Sequence, residues 1–378
     1  MRPVRCLVPG TTGRFRCGGL LVELQTARLI SRIAPVQIVT YRQREEDHPF
    51  LEDLLREESL PRHVGERMQA RGSAEKESPA DPIWIVSWGF DVPKLLRQLR
   101  GRSVAYHAHS SGYGFNLPPG VPVLAVSRNT LGYWGDRAPR NPLFLVPNAL
   151  DTCWLERGAR PGTVAAASLC ELHGVRRPID VLVQQRKNSA YVLNRLVPAL
   201  RARGLRVEVQ SGWVDDLVDL FNRSTVVLYD SADYWRGRGV SEGFGLPPLE
   251  ALACGCIVFS SFNHALADTL DPGRIGHQIG WGTLKADVAR ISAAVLEPAR
   301  WQPSSEDLAL VLRAASEEVL LRRWAEALEE IGSHLGYCQS DQPLRLQPTW
   351  RLRCALRLSR PINWLAGRAG LPARRRGQ

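Results

Sequence analysis

The sequence predicts an α/β chain built from two parallel sheets, each with helices on both faces. Three observations carry that expectation. Short β-branched apolar runs alternate with stretches of helical periodicity. The alternation lapses between 148 and 162 and then begins afresh. At 378 residues, 44% of them apolar, the chain is longer than one hydrophobic core usually serves. With 23% charged residues the composition is that of a globular protein and excludes a disordered, collagen-like or coiled-coil chain.

Taken in order, Val4 to Val8 is a strand feeding a loop, Pro9 to Gly19, whose Gly18-Gly19 pair opens a helix. Leu20, Leu21, Leu24, Ala27, Leu29 and Ile30 give that helix its period. Val36 to Tyr41 is short and β-branched, as a buried parallel strand is. The stretch from Glu45 to Asp81 is charged and poor in apolar residues, which predicts a polar helix around Phe50 to Glu57 and then a loose surface segment. Strands resume at Ile83–Ser87, Ser103–Tyr106, Pro122–Val126 and Leu143–Val146, with a helix at Val92–Leu99.

Residues 1–150 therefore form one Rossmann-like half. The second half, 151–335, repeats the pattern with strands at Ile179–Val183, Leu205–Gln210, Thr225–Leu228 and Ile257–Phe259 and helices at Ala190–Arg203 and Val214–Phe221. Ser304-Ser305-Glu306 suits a helix start, and closing helices are expected at Leu308–Leu321 and Trp324–Leu335. Residues 336–378 are a basic tail.

The net charge of +11 suggests nucleic acid until it is located. Nine arginines and one acid between 341 and 378 account for eight of those charges, so the body is near neutral and nucleic acid is not the expected partner. Leucine and tryptophan interleaved with those arginines suit an anionic membrane surface. The eight cysteines include no C-x-x-C pair and no histidine at zinc spacing, which points to reduced, idle thiols. There is no uncharged apolar run of eighteen residues and no secretory h-region near Met1, so a cytoplasmic protein, peripheral on the inner face of the membrane, is expected.

The richest segment runs from Ser241 to Ser261. Glu242 and Glu250 stand eight positions apart, with Gly243, Phe244, Gly245 and Leu246 between them and a Pro247-Pro248 pair suited to the first turn of a helix. That arrangement puts free backbone N–H groups at a helix N-terminus, a favourable seat for a diphosphate, with a carboxylate on either side.

This segment resembles the E-x7-E signature of the retaining GT-B glycosyltransferases, glycosyl transferases group 1 type, written E-G-F-G-L-P-x-L-E-A-x-A-x-G, at all eleven specified positions. The resemblance extends over residues 4 to 335: Gly18-Gly19 match a glycine pair of the N-terminal domain, Val126-Ser127 a strand ending in serine, and Val146-Pro147-Asn148 through Asp151 a P-N-G-x-D in which Ala149 replaces glycine. It implies a GT-B architecture, two Rossmann-like domains facing across a cleft, with residues 1–150 as the acceptor domain. The implied activity is a retaining hexosyltransferase that moves a sugar from a nucleoside diphosphate sugar to an acceptor hydroxyl on a polysaccharide, lipid or other sugar. By resemblance Glu242 contacts the donor sugar, the Gly243–Leu246 amides hold the distal phosphate, and Glu250 binds the ribose.

The family's G-R-x4-K-[GN] segment is only partly present. Lys187-Asn188 fit it, the Gly-Arg positions do not, and Arg186 is the candidate to replace the arginine against the diphosphate. A histidine after the strand that begins at Ser103 is common in the family near donor and acceptor, which makes His107 and His109 equal candidates to orient or deprotonate an acceptor hydroxyl. No D-x-D occurs, and a reaction without a metal cofactor is expected. Two other readings share the fold, a sugar-nucleotide epimerase and a non-catalytic protein of the membrane surface.

Overall fold

The computed structural model describes residues 1–43, 62–63, 81–173, 176–351 and 354. The polar helix expected at 50–57 and most of the basic tail lie outside these residues.

Among the described residues there are twelve strands, all parallel, in two sheets. The first contains β1 (Val4–Val8), β2 (Val36–Thr40), β3 (Arg62–His63), β4 (Ile83–Val86), β5 (Ser103–Ala108), β6 (Val123–Ala125) and β7 (Leu143–Leu145), in the order β3-β2-β1-β4-β5-β6-β7. The second contains β8 (Ile179–Gln184), β9 (Val207–Gln210), β10 (Ser224–Tyr229), β11 (Ile257–Ser260) and β12 (His277–Gln278), in the order β12-β11-β10-β8-β9. The chain reverses its direction of travel across each sheet, beside β1 in the first and beside β8 in the second. Such switch points leave a crevice at the carboxyl ends of the strands, where ligands of open α/β sheets bind.

The registers follow from burial. Val4 pairs with both Val36 and Ile83, and Val226 with both Val181 and Ile257, so apolar residues run across each sheet without interruption. Strands buried on both faces have no polar alternation, which is why they read as continuous apolar runs. Each sheet has apolar layers on both faces, with Leu20, Leu24 and Ala27 against one face of the first sheet and Val92, Leu95 and Trp134 against the other. Each fully buried Leu, Ile or Val in these layers contributes about 1.5–3 kcal/mol.

Several boundaries differ from the sequence expectation. β5 continues through His107 to Ala108 instead of ending at Tyr106. The closing region breaks at Ser316, not after Leu321: one helix covers Ser305–Ala314 and the next Glu317–Ser340. Capping explains the break. Ser304 accepts from the Asp307 N–H and Ser316 accepts from the Val319 N–H, so each serine restarts a helix. The long last helix packs Leu320, Trp324, Leu328 and Ile331 onto the first sheet beside Leu20 and Leu24. The helix Arg128–Arg137, capped by Ser127, was not anticipated. Among the described residues no helix is long and apolar enough to cross a membrane.

Candidate functional site

The loops after β5, β8, β10 and β11 converge on Glu242. Its carboxylate is 5% exposed, and the neighbours that hold it come from the C-terminal end of a strand, the loop beyond or, for Trp235, the short helix Ala232–Arg236 that follows β10. Oε2 accepts from the Tyr229 hydroxyl at 2.6 Å and from the Trp235 indole N–H at 2.7 Å. Oε1 accepts from Lys187 Nζ at 3.4 Å. The Glu242 N–H donates to His264 Nδ1 at 3.2 Å, and Asn263 Nδ2 donates to the same nitrogen at 3.1 Å. With Nδ1 an acceptor twice over, His264 is neutral; burial lowers its proton affinity, against the pull of Glu242. Burial and then the Glu242 charge push the Tyr229 hydroxyl well above its ordinary range, so it stays a donor.

Lys187 and His264 are the two non-glycine residues with positive φ among the described residues, at 69° and 54°. Both flank Glu242. Such backbone conformations cost about 1–3 kcal/mol each and persist where surrounding structure fixes them, which is frequent at ligand sites. Asn188 supplies part of that fixing: its Nδ2 donates to the Gln184 and Leu228 carbonyls and its Oδ1 accepts from the Asp230 N–H, tying the ends of β8 and β10.

Beyond Glu242 the chain enters the helix Leu246–Ala253, with Gly245 as N-cap at φ 86° and the prolines at its second and third positions. The Gly243, Phe244 and Gly245 N–H groups bond to no described residue. They lie at the positive end of the helix, one loop from the Lys187 ammonium, and together these make an anion seat. A Cβ on Gly243 would overlap the His109 carbonyl oxygen, so glycine is required where the two halves touch. The same contact is sewn by buried serines: Ser110 Oγ donates to the Ser241 carbonyl at 2.6 Å, and the Ser111 N–H to Ser241 Oγ at 2.9 Å.

Glu250 sits on the helix one turn beyond its start, partly exposed. Burial pushes its carboxyl up to about 7, with Lys187 drawing it the other way. Arg186 is exposed and makes no hydrogen bond or ion pair within the described residues; the structure brings Lys187, not Arg186, to Glu242. Gly18 and Gly19 open the helix Gly18–Ile30 behind Cys17, an N-cap whose side chain makes no capping bond; a Cβ on Gly18 would meet nothing within 4 Å, and one on Gly19 would meet Cys17 Sγ at 4.0 Å.

His107 and His109 do not stand free. Because β5 runs to Ala108, their alternation points both rings to one side, where Glu23 of the first helix meets them. His107 Nδ1 lies 2.8 Å from Glu23 Oε1, and His109 Nε2 contacts the same oxygen. Glu23, His107 and His109 bring possible metal-ligating atoms within 4.8 Å of one another. A cation bonded at about 2.0–2.1 Å to each atom would hold neighbouring donors about 3.3 Å apart. Direct contacts at hydrogen-bond length are instead the geometry of a carboxylate accepting two N–H groups.

Tyr229, Trp235, His264 and Glu23 were missed by sequence reasoning. The first three follow from no motif of their own, although each lies at or beyond a strand end beside the Glu242 loop. Glu23 did carry a signal, an acid at a buried position among Leu20, Val22, Leu24 and Ala27.

Comparison with known proteins is consistent with this geometry. Residues 197–299, which contain Glu242 to Glu250, match the model of the family described as Glycosyl transferases group 1. No curated protein sequence matches the chain. HepE of Anabaena, solved in complex with UDP and glucose, is similar in structure with a TM-score of 0.62 at 15% identity, covering 87% of this chain and 100% of that one. A glycosyltransferase from Rickettsia africae gives 0.60 at 12% identity over 87% and 98% of the two chains. Sucrose-phosphate synthase from Thermosynechococcus elongatus gives 0.59 at 14% over 88% and 100%. At these identities the likeness establishes the fold: the two parallel α/β units have the GT-B architecture that the sequence resemblance implied.

Proposed function

We propose that the chain is a retaining glycosyltransferase that takes a hexose from a nucleoside diphosphate sugar and passes it to a hydroxyl on a polysaccharide, lipid or other sugar. The observation that carries this reading is the setting of Glu242. A buried carboxylate held by Tyr229, Trp235 and Lys187 stands immediately before a row of amides at a helix N-terminus that bond to no described residue. The amides and Lys187 suit the diphosphate, Glu250 the ribose hydroxyls, and Glu242 the sugar. The match of residues 197–299 to the glycosyl transferases group 1 model supports the assignment, and the complexes of HepE with UDP, glucose and UDP-glucose support a nucleoside diphosphate hexose as donor.

Lys187, the amides and the helix dipole stabilise the charge that develops on the leaving diphosphate, and this supplies the electrostatic part of the catalysis. Retention follows from the E-x7-E resemblance. The arginines of 341–378, each adding about 1 kcal/mol near an anionic surface, suit a cytoplasmic enzyme that meets its acceptor at the inner face of the membrane. Incubation with UDP-, GDP-, ADP- and TDP-hexoses tests the activity through nucleotide release and the anomeric configuration of the product. Release from one donor, lowered about a hundredfold by Glu242→Gln, supports it. Release from none, or equal release by the variant, overturns it.

A further inference from the structure

Glu23 has no place in the donor site, yet it is a charged group 1% exposed in an apolar helix. Burying a carboxylate costs several kcal/mol unless it is paired and hydrogen-bonded, so the trio must satisfy it. We infer that Glu23 is a positioning residue that fixes the tautomers of both histidines and leaves His109 Nδ1 as the free acceptor that orients the acceptor hydroxyl; the proposal rests on the glycosyltransferase reading.

The tautomers follow from geometry. A carboxylate can only accept, so both ring nitrogens that meet Glu23 Oε1 carry protons: Nδ1 of His107 and Nε2 of His109. The remaining nitrogens differ. His107 Nε2 is buried with no partner, and the ring lies edge-on to Trp324 of the last helix at 5.1 Å between centroids. A second proton there would be a buried, unsatisfied donor. His107 is thereby a neutral prop. His109 is 17% exposed, and its Nδ1 has no partner among the described residues. Its carbonyl oxygen touches Gly243, next to Glu242, which puts the residue at the seam between the halves. Of two histidines equal in the sequence, only His109 is exposed enough to offer a lone pair, since the free nitrogen of His107 is buried.

The buried setting agrees. Burial works against the Glu23 charge, but the two imidazoles that meet it hold the carboxyl below the ordinary range, so it stays an acceptor. Burial lowers the proton affinity of His107, as a neutral ring requires. Cys6 of β1 also faces the trio; burial and then Glu23 push its thiol up, so it stays neutral.

The test uses the full chain labelled with ¹⁵N at histidine. Wild type is expected to show one His109 tautomer with protonated Nε2 and one His107 tautomer with protonated Nδ1. Glu23→Leu removes the acceptor and is expected to give mixed His109 tautomers and a kcat at least about thirtyfold lower, with donor KM within about threefold; Glu23→Gln, which keeps an acceptor oxygen, recovers kcat to within about fivefold. Mixed tautomers in wild type overturn the proposal. So does an unchanged His109 spectrum in Glu23→Leu, a loss that appears only as lower thermal stability, or a stoichiometric divalent metal retained by wild type and lost in the variant. The spectra read the trio whether or not any donor is turned over. Failure of the transferase reading therefore appears separately, as a held tautomer without turnover.

Discussion

Replacing Glu250 by glutamine isolates the cost of keeping a carboxyl at this position of the helix. Burial raises the carboxyl from 4.5 to about 7 in the folded protein. A raised folded value means that the fold favours the uncharged acid. The stability this provides is complete below pH 4.5, falls as the pH rises, and is gone above about 7. The shift corresponds to about 3 kcal/mol, reduced to about 2 by the partial exposure of the side chain. Glutamine does not titrate. The stability of Glu250→Gln relative to wild type should therefore rise by about 2 kcal/mol between pH 5 and pH 8, or about 4–8 °C in Tm for a unit of this size. Scanning calorimetry of both proteins at the two pH values, without nucleotide, measures the gap. A gap that stays constant, or narrows with pH, would refute the reasoning.

Other substitutions probe the same site. Glu242→Gln keeps an acceptor oxygen for Tyr229 and Trp235 but turns an amide toward Lys187; turnover should fall about a hundredfold while far-UV circular dichroism is unchanged. Lys187→Met should weaken nucleoside diphosphate binding about tenfold by calorimetry, with a smaller loss at high salt, because a cation beside the anion seat is removed. Gly243→Ala forces a methyl group against the His109 carbonyl oxygen and should destabilise the chain by about 3 kcal/mol in urea, whereas Gly132→Ala, in open space within the helix Arg128–Arg137, should stabilise it by about 0.5–1 kcal/mol.

Strands such as Val4–Val8 and Ile179–Gln184 were legible because burial on both faces leaves short uninterrupted apolar runs bounded by turn residues. The loop from Glu242 to Leu246 was legible for another reason: glycine, proline and acid at fixed offsets specify a helix N-terminus through backbone conformation alone. What the sequence hid is tertiary. Tyr229 looks like one more strand aromatic, and Trp235 and His264 like loop residues, until β10 and β11 place them around one carboxylate. The break at Ser316 was hidden because apolar periodicity continues across it, and only the capping bond to Val319 marks the restart. The two histidines were found but could not be told apart, because ending β5 at Tyr106 concealed that they share a face and a partner.

The most direct test of the central claim is binding of nucleoside diphosphates to the seat formed by Lys187, the Gly243–Leu246 loop and Glu250. A panel of UDP, GDP, ADP and TDP in a thermal-shift assay should give stabilisation by one of them, about 2.7 kcal/mol at a hundred times its Kd, and much less in Lys187→Met and Glu250→Leu. Stabilisation by none of the four, or an equal shift in both variants, would contradict a donor site at Glu242.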